Sequence, residues 1–372
     1  MDNPLAQSRA AESHAAESRS TESHAAGSHA AGSRVAGSSA AESRSAAAIA
    51  HSNIAIVKYW GKRDADLNIP AVGSISLTLD ALSTETSVTF DSALVADEFR
   101  LDGKRSDPAR VSRLLDHVRT QSGATEYAAV SSANDFPTGA GLASSASGFA
   151  ALALAASAAA LAGRVGSQKM PDDRELSILA RRGSGSAARS IFGGVVELHR
   201  GSHADGLDSF AEPLLSADEW PLSVVIAITD TRAKIVNSST GMGESALSSP
   251  FYPSWVDTAE DDLAGARTAI AARDFERLGE LTEYSCLKLH AIMLTTRPAL
   301  LYWNAATVAA IYTVRELRGS GIPVYFTIDA GPQLKALCLP ESAQKVADAL
   351  AATSGVQETR TSGLGAGAQL VP

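Results

Sequence analysis

At 372 residues, 45% of them hydrophobic and 20% charged, the chain can bury a sizeable core and is too long for one unit of ordinary size. A net charge of -9 and a pI of about 5.4 argue against a nucleic-acid surface, while leaving room for a local basic pocket that takes an anionic metabolite. Two cysteines, Cys286 and Cys338, exclude a disulfide framework or a CxxC metal site and read as core thiols of a reducing compartment.

Residues 6–45 repeat a degenerate five-residue unit (AQSRA, AESHA, AESRS, TESHA, AGSHA, AGSRV, AGSSA, AESRS) with almost no large apolar side chains. Such a segment cannot bury enough surface to offset the entropy of ordering it, so residues 1–46 are expected to form a disordered tail. No basic-then-apolar secretory signal opens the chain, and no apolar run approaches the ~18 residues of a membrane span. The longest apolar block, 149–162, is Ala-rich and reads as a buried helix. A cytoplasmic protein without membrane contact is expected.

From Ala47 onward the pattern predicts strands over 52–59, 74–79, 84–90 and 127–132, then helices over 107–119 and 149–162. A helix over 172–182 and strands over 194–199 and 222–229 follow. A composition shift over 207–220, with Pro213 inside it and Pro221 after it, divides the chain into 47–212 and 213–372. Beyond it come helices over 257–272, 275–290 and 298–317, a strand over 324–329, a helix over 342–352 and a last strand over 356–359. The mixture lacks strict βαβα alternation, which favours α+β layers over a doubly wound sheet.

Four segments can carry chemistry. Gly139, Ala140, Gly141, Leu142, Ala143, Ser144 and Ser145 form a small-residue loop that empties into a helix N-terminus, where free N–H groups and the helix dipole favour phosphate. No Lys follows its last Gly, so it is not a Walker A loop, and an ordinary glycine-rich turn is the plain alternative. Lys58-Tyr59-Trp60-Gly61-Lys62-Arg63-Asp64 puts cations beside two aromatics that are costly to expose. A diphosphate is a natural target, against a solvated turn. Arg182 to Ser190 combines Gly and Ser with Arg189, which could grip a carboxylate, or is a helix C-cap. Asp329, at the end of an apolar strand before Gly331-Pro332, reads as a base or as a turn-capping residue.

Taken together, these segments resemble the diphosphomevalonate decarboxylase family of the GHMP small-molecule kinase superfamily. The likeness covers about residue 50 to the C-terminus. It rests on Asn53-Ile54-Ala55 with Lys58 to Asp64, Phe136-Pro137-Thr138 with Gly141 to Ala146, Gly183 to Ala187 with Arg189-Ser190, Phe192-Gly193-Gly194, and Phe326 to Pro332. The resemblance implies a two-domain fold, with a ribosomal-protein-S5-like N-terminal domain and a ferredoxin-like C-terminal domain, and homodimers. It implies Asp329 as the group that orients or deprotonates a tertiary 3-hydroxyl, with Lys58 beside it. It implies Arg189, assisted by Ser186, on the substrate carboxylate, and Tyr59 and Lys62 on the 5-diphosphate. The Gly139–Ser145 loop would cradle ATP, with Mg2+ reaching Ser145 through ATP. The implied reaction turns mevalonate 5-diphosphate and ATP into isopentenyl diphosphate, CO2, ADP and phosphate. The chain departs from the family strings at Val72-Gly73-Ser74 and at Asn237, so no role is carried over in 237–242. A decarboxylase of the 5-monophosphate and a catalytically silent sensor remain the alternatives.

Overall fold

The structure is a computed structural model that describes residues 43–137, 141–162, 169–232 and 234–372. Its strands are β1 (Arg44–Val57), β2 (Lys62–Asp64), β3 (Ile69–Pro70), β4 (Ser74–Asp91), β5 (Glu98–Leu101), β6 (Lys104–Arg105), β7 (Tyr127–Asn134), β8 (Val195–Leu198), β9 (Ala211–Leu215), β10 (Ser223–Ile228), β11 (Val324–Ile328), β12 (Leu334–Cys338), β13 (Glu358–Ser362) and β14 (Gln369–Val371). Its helices are α1 (Ala109–Ser122), α2 (Ser144–Leu161), α3 (Asp173–Gly183), α4 (Ser238–Ser248), α5 (Tyr252–Asp257), α6 (Ala259–Ala272), α7 (Phe275–Thr295), α8 (Ala305–Gly319) and α9 (Ala343–Ala351).

Strands β14-β1-β4-β7-β5-β6 form the first sheet, with β8 and β9 continuing it from β4; β11-β12-β10-β13 form the second, wholly antiparallel. Side-chain alternation on the second sheet explains how it is held. Val224, Ile226, Ile228, Tyr325 and Leu337 face a core shared with Ile54, Ile56, Ile75 and Leu77 of the first sheet. Val225, Ala227, Phe326, Leu334 and Ala336 face the opposite way, toward α8 and α9. Helix α2 lies under β1 and β4.

Several expectations are corrected. The expected strands 74–79 and 84–90 are one strand, β4: where its register against β1 shifts between His51 and Asn53, β4 carries the extra residues, 79–82, opposite Ser52, and Leu82 among them is buried. The helix expected from Pro298 starts at Ala305. Asn304 caps it through Thr307, while Leu300 and Tyr302 pack beside Trp60 and Met242. The division at 212/213 falls inside β9, whose Pro213 pairs with Val196. Among the described residues one helix, Ser144–Leu161, is long and apolar enough to cross a membrane, contrary to the expectation from sequence. It is 72% buried within the protein, so it is a core helix.

The expected tail lies outside the described residues through position 42, but 44–46 belong to β1. There Arg44 Nη1 donates to Ala160 O at 2.8 Å and Nη2 pairs with Glu126 Oε1 at 2.7 Å. Deleting residues 1–42 is expected to leave turnover and melting temperature unchanged. Deleting through Ser45 should lower the melting temperature by a few degrees as those contacts go; a scanning-fluorimetry comparison of the two truncations checks this.

Candidate active site

Two strand ends meet to make the centre of the site. β1 runs out at Val57 and presents Lys58; β11 runs out at Ile328 and presents Asp329. Lys58 Nζ lies 2.7 Å from Asp329 Oδ1, with Lys58 1% exposed and the Asp329 side chain 29% exposed. Helix α7 pins both ends. Ser285 Oγ accepts from Lys58 N at 2.9 Å, Cys286 Sγ accepts from Ile328 N at 3.1 Å, and His290 Nε2 sits 3.3 Å from Ile328 O. Burial would raise the Asp329 pKa, but Lys58 and Lys335 outweigh it and hold the carboxyl below its usual range. Asp329 is therefore a carboxylate at neutral pH.

Asp329 opens onto a cavity of about 310 Å3. Among the described residues lining it, Asp329 is the single acid, while Lys62, Arg110, Arg189 and Lys234 are cations. Arg189 is 2% exposed and rises from the 3-10 turn Gly185–Ile191 that follows α3. Its Nε and Nη2 donate to Asn53 Oδ1 at 3.2 and 2.9 Å, and Nη1 donates to Ser74 Oγ at 2.5 Å. Burial pulls its pKa down to about 10, against Asp329, and it stays charged at neutral pH. Asn53 is itself oriented by donating to Ser186 O and Ser190 Oγ, so the guanidinium is held by a fixed frame.

Tyr59 lines the same wall. Its buried hydroxyl has no partner among the described residues, and burial pushes its pKa upward. A buried hydroxyl without a partner is uncommon in a folded chain, and this one belongs to a residue of the cavity wall. Gly185 lies against it, since a Cβ there would stand 2.3 Å from the Tyr59 hydroxyl oxygen. Gly185→Ala is expected to displace Tyr59 and raise KM for the substrate roughly tenfold while kcat changes less, measured by steady-state kinetics.

Lys62 Nζ reaches Ser239 Oγ at 3.3 Å, and burial with nearby Arg110 and Arg113 lowers its pKa. Lys234 Nζ donates to Ser238 Oγ at 2.8 Å and Ala330 O at 2.9 Å. Of the small-residue loop, Gly139 and Ala140 lie outside the described residues. Gly141 (φ +83°) and Ala143 (φ +60°) turn the chain so that Ser144 opens helix α2 beside the cavity. Ser145 Oγ is 3.3 Å from Ser184 Oγ. Leu142 is buried in the core between the sheets, so its backbone alone is available to a ligand. No three His, Cys, Asp or Glu side chains cluster as metal ligands among the described residues. The hydroxyls of Ser144 and Ser145 suit a Mg2+ that arrives on nucleotide phosphates.

The site thus brings together Lys58, Tyr59, Lys62, Ser186, Arg189 and Asp329 with Gly141, Ala143, Ser144 and Ser145 of the loop. Helix α3 ends at Gly183 with Ser184 as its C-cap, and the turn that follows lines the cavity with Gly185, Ser186 and Arg189. Sequence reasoning passed over Lys234, Lys335 and Arg110, and gave Asn53 no role of its own. It also left 237–242 without a role, yet Asn237, Ser238 and Ser239 line the cavity. The Val72–Ser74 departure lies behind Arg189: Ser74 binds the guanidinium and Val72 packs with Trp60.

Comparison with known proteins decides the family. The diphosphomevalonate decarboxylase-like N-terminal domain matches residues 50–211, and the mevalonate 5-diphosphate decarboxylase C-terminal domain matches 224–366. The chain belongs to the diphosphomevalonate decarboxylase family. A diphosphomevalonate decarboxylase of Aspergillus fumigatus is 36% identical over 333 residues, 83% of this chain and 80% of that protein. The crystal structure of mevalonate diphosphate decarboxylase from Staphylococcus aureus superposes with a TM-score of 0.81 at 38% identity, over 89% of this chain and 99% of that one. The structure of MDDEF in complex with MVAPP, AMPPCP and magnesium gives 0.80 at 40% identity, over 89% and 99%. The two-domain α+β fold of the family, and membership of its carboxy-lyases, hold for this chain.

Proposed function

We propose how the residues of the cavity divide the work of the reaction that this family member performs, the ATP-dependent decarboxylation of mevalonate 5-diphosphate. The observation that carries the assignment is one carboxylate set among four cations in a single cavity, with Lys58 bonded to that carboxylate. A substrate with a carboxylate at one end and a diphosphate at the other needs that charge pattern. A lone acid beside it suits removal of one hydroxyl proton.

Asp329 takes the proton of the tertiary 3-hydroxyl, and that oxygen attacks the γ-phosphorus of ATP as ADP departs. Lys58 keeps Asp329 ionised and faces the charge of the transferred phosphoryl group. The bond from C3 to the phosphorylated oxygen then breaks, taking phosphate away. The electron pair of the bond to the carboxylate closes into the new double bond, and CO2 leaves. Arg189, with Ser186, holds the carboxylate in line until then. Tyr59 and Lys62 hold the 5-diphosphate, and the loop through Ser145 cradles the ATP phosphates. Mg2+ would be held by those phosphates with Ser145, supplying charge neutralisation. We further propose a cytoplasmic homodimer, as the family resemblance implies, which sedimentation of the purified chain would test.

The test is a substrate series with Mg-ATP: mevalonate, its 5-phosphate and its 5-diphosphate, with ADP and CO2 counted together. Turnover with the diphosphate alone is expected. Turnover with the monophosphate alone would keep the mechanism and overturn the roles of Tyr59 and Lys62. Silence with all three would overturn the whole assignment.

A further inference from the structure

Lys335 is a cation in a position that the strand pattern reserves for the core. It lies on β12 between Leu334 and Ala336, on the same face as Leu337, and is 2% exposed. Its cross-strand partner is Thr327, two residues before Asp329. Its Nζ donates to the carbonyl of Gly141 at 3.0 Å and lies 3.8 Å from Asp329 Oδ2, the oxygen that Lys58 leaves free. The two loops it touches already approach each other: a Cβ on Gly141 would stand 3.1 Å from Gly331 Cα. A buried ammonium is costly unless it is paired, so a lysine here has to act through those two partners.

We infer that Lys335 is a positioning residue of this site, a strut whose ammonium ties the phosphate loop at Gly141 to the Asp329 carboxylate and so fixes how far the nucleotide cradle stands from the base. The inference rests on Asp329 acting as the base. Lys335 does two separable things. Its hydrogen bond sets the loop, which governs nucleotide affinity. Its charge, added to that of Lys58, favours the ionised form of Asp329. Arg189 and Lys234 also act electrostatically on this pair, and Cys286 and His290 face it as titratable neighbours. Burial pushes Cys286 up to about 11 and pulls His290 down to about 3, so both stay neutral across the working range. Burial also pulls Lys335 down to about 8, against Asp329, so the strut loses its charge as pH rises past that value.

Three variants separate these effects. Lys335→Met removes hydrogen bond and charge, Lys335→Gln keeps a donor without the charge, and Lys335→Arg keeps the charge. Calorimetric affinity for the magnesium complex of AMPPCP reads the loop, without turnover. The pH profile of kcat reads Asp329. Lys335→Met is expected to weaken AMPPCP binding roughly ten- to a hundredfold and to move the acid limb of the profile to higher pH, because a cation that favours the carboxylate is gone. Lys335→Gln should recover most of the affinity but not the acid limb. Lys335→Arg, which keeps the charge, should restore the acid limb. Wild-type affinity and an unmoved acid limb in Lys335→Met would overturn the inference. Equal losses in all three variants together with a lowered melting temperature would also overturn it, marking a packing residue. Asp329→Asn, run alongside, isolates the underlying assignment: full turnover in that variant would remove the base reading, while AMPPCP affinity would still test the strut.

Discussion

Asp329→Asn is expected to stop ADP and CO2 release together, cutting kcat by roughly 10²–10⁴-fold with little change in KM for ATP. The amide keeps the shape of the side chain and can still accept from Lys58, but it cannot take a proton at neutral pH. No other acid among the described residues lines the cavity to replace it. The substitution also leaves Lys58, 1% exposed, without its counter-charge at 2.7 Å, so a stability loss of roughly 3 kcal/mol accompanies the loss of activity. Denaturant melts separate the two effects, because the folded variant remains inactive. The pH dependence has a definite sign. With its pKa held below the usual carboxylate range by Lys58 and Lys335, Asp329 protonates only as pH falls well into the acid region, so activity should persist at mildly acidic pH. A wild-type acid limb near neutrality would contradict that electrostatic picture.

The second large effect is expected at Arg189. Arg189→Met should lower kcat/KM for mevalonate 5-diphosphate by roughly 10²–10³-fold, the scale of removing one partner from a buried charged pair. Arg189→Lys should recover little. A point-charge ammonium cannot reproduce the planar fork that meets Asn53 Oδ1 twice and Ser74 once. Ser74→Ala leaves the charge in place and removes one support, so an intermediate loss, mainly in KM, is expected. Kinetics on the three variants would refute the carboxylate role if Arg189→Met kept wild-type kcat/KM.

The parts of the site that were legible in the sequence share a local signature. The loop before α2 is a run of small residues, the 58–64 segment packs cations against aromatics, and Asp329 ends an apolar strand. Each is visible within ten residues. Lys335 was invisible because its meaning is non-local. Strand β12 is short and follows Pro332, and a lysine inside it reads as solvent-facing until the sheet places Gly141 and Asp329 against it. Helix α4 was missed for another reason. Its Gly- and Ser-rich sequence carries little amphipathic contrast, and the hydrogen bond from Thr240 N to the Asn237 side chain that starts it is a three-residue signal. Strand β14 is exposed throughout and owes its existence to pairing with Ala47–Ile49, not to its own pattern. The helix extended too far back to Pro298 failed because apolar Leu300 fits a helix period equally well but is buried in the Trp60 cluster.

The measurement that bears most directly on the account is the stoichiometry of a single reaction: purified chain, Mg-ATP and mevalonate 5-diphosphate, with ADP, phosphate and CO2 counted from the same vessel. Equal amounts of the three are predicted, since phosphorylation of the 3-hydroxyl commits the substrate to losing both phosphate and CO2. ADP formed without CO2 would contradict it, leaving a kinase whose Arg189 and Asp329 serve phosphoryl transfer alone.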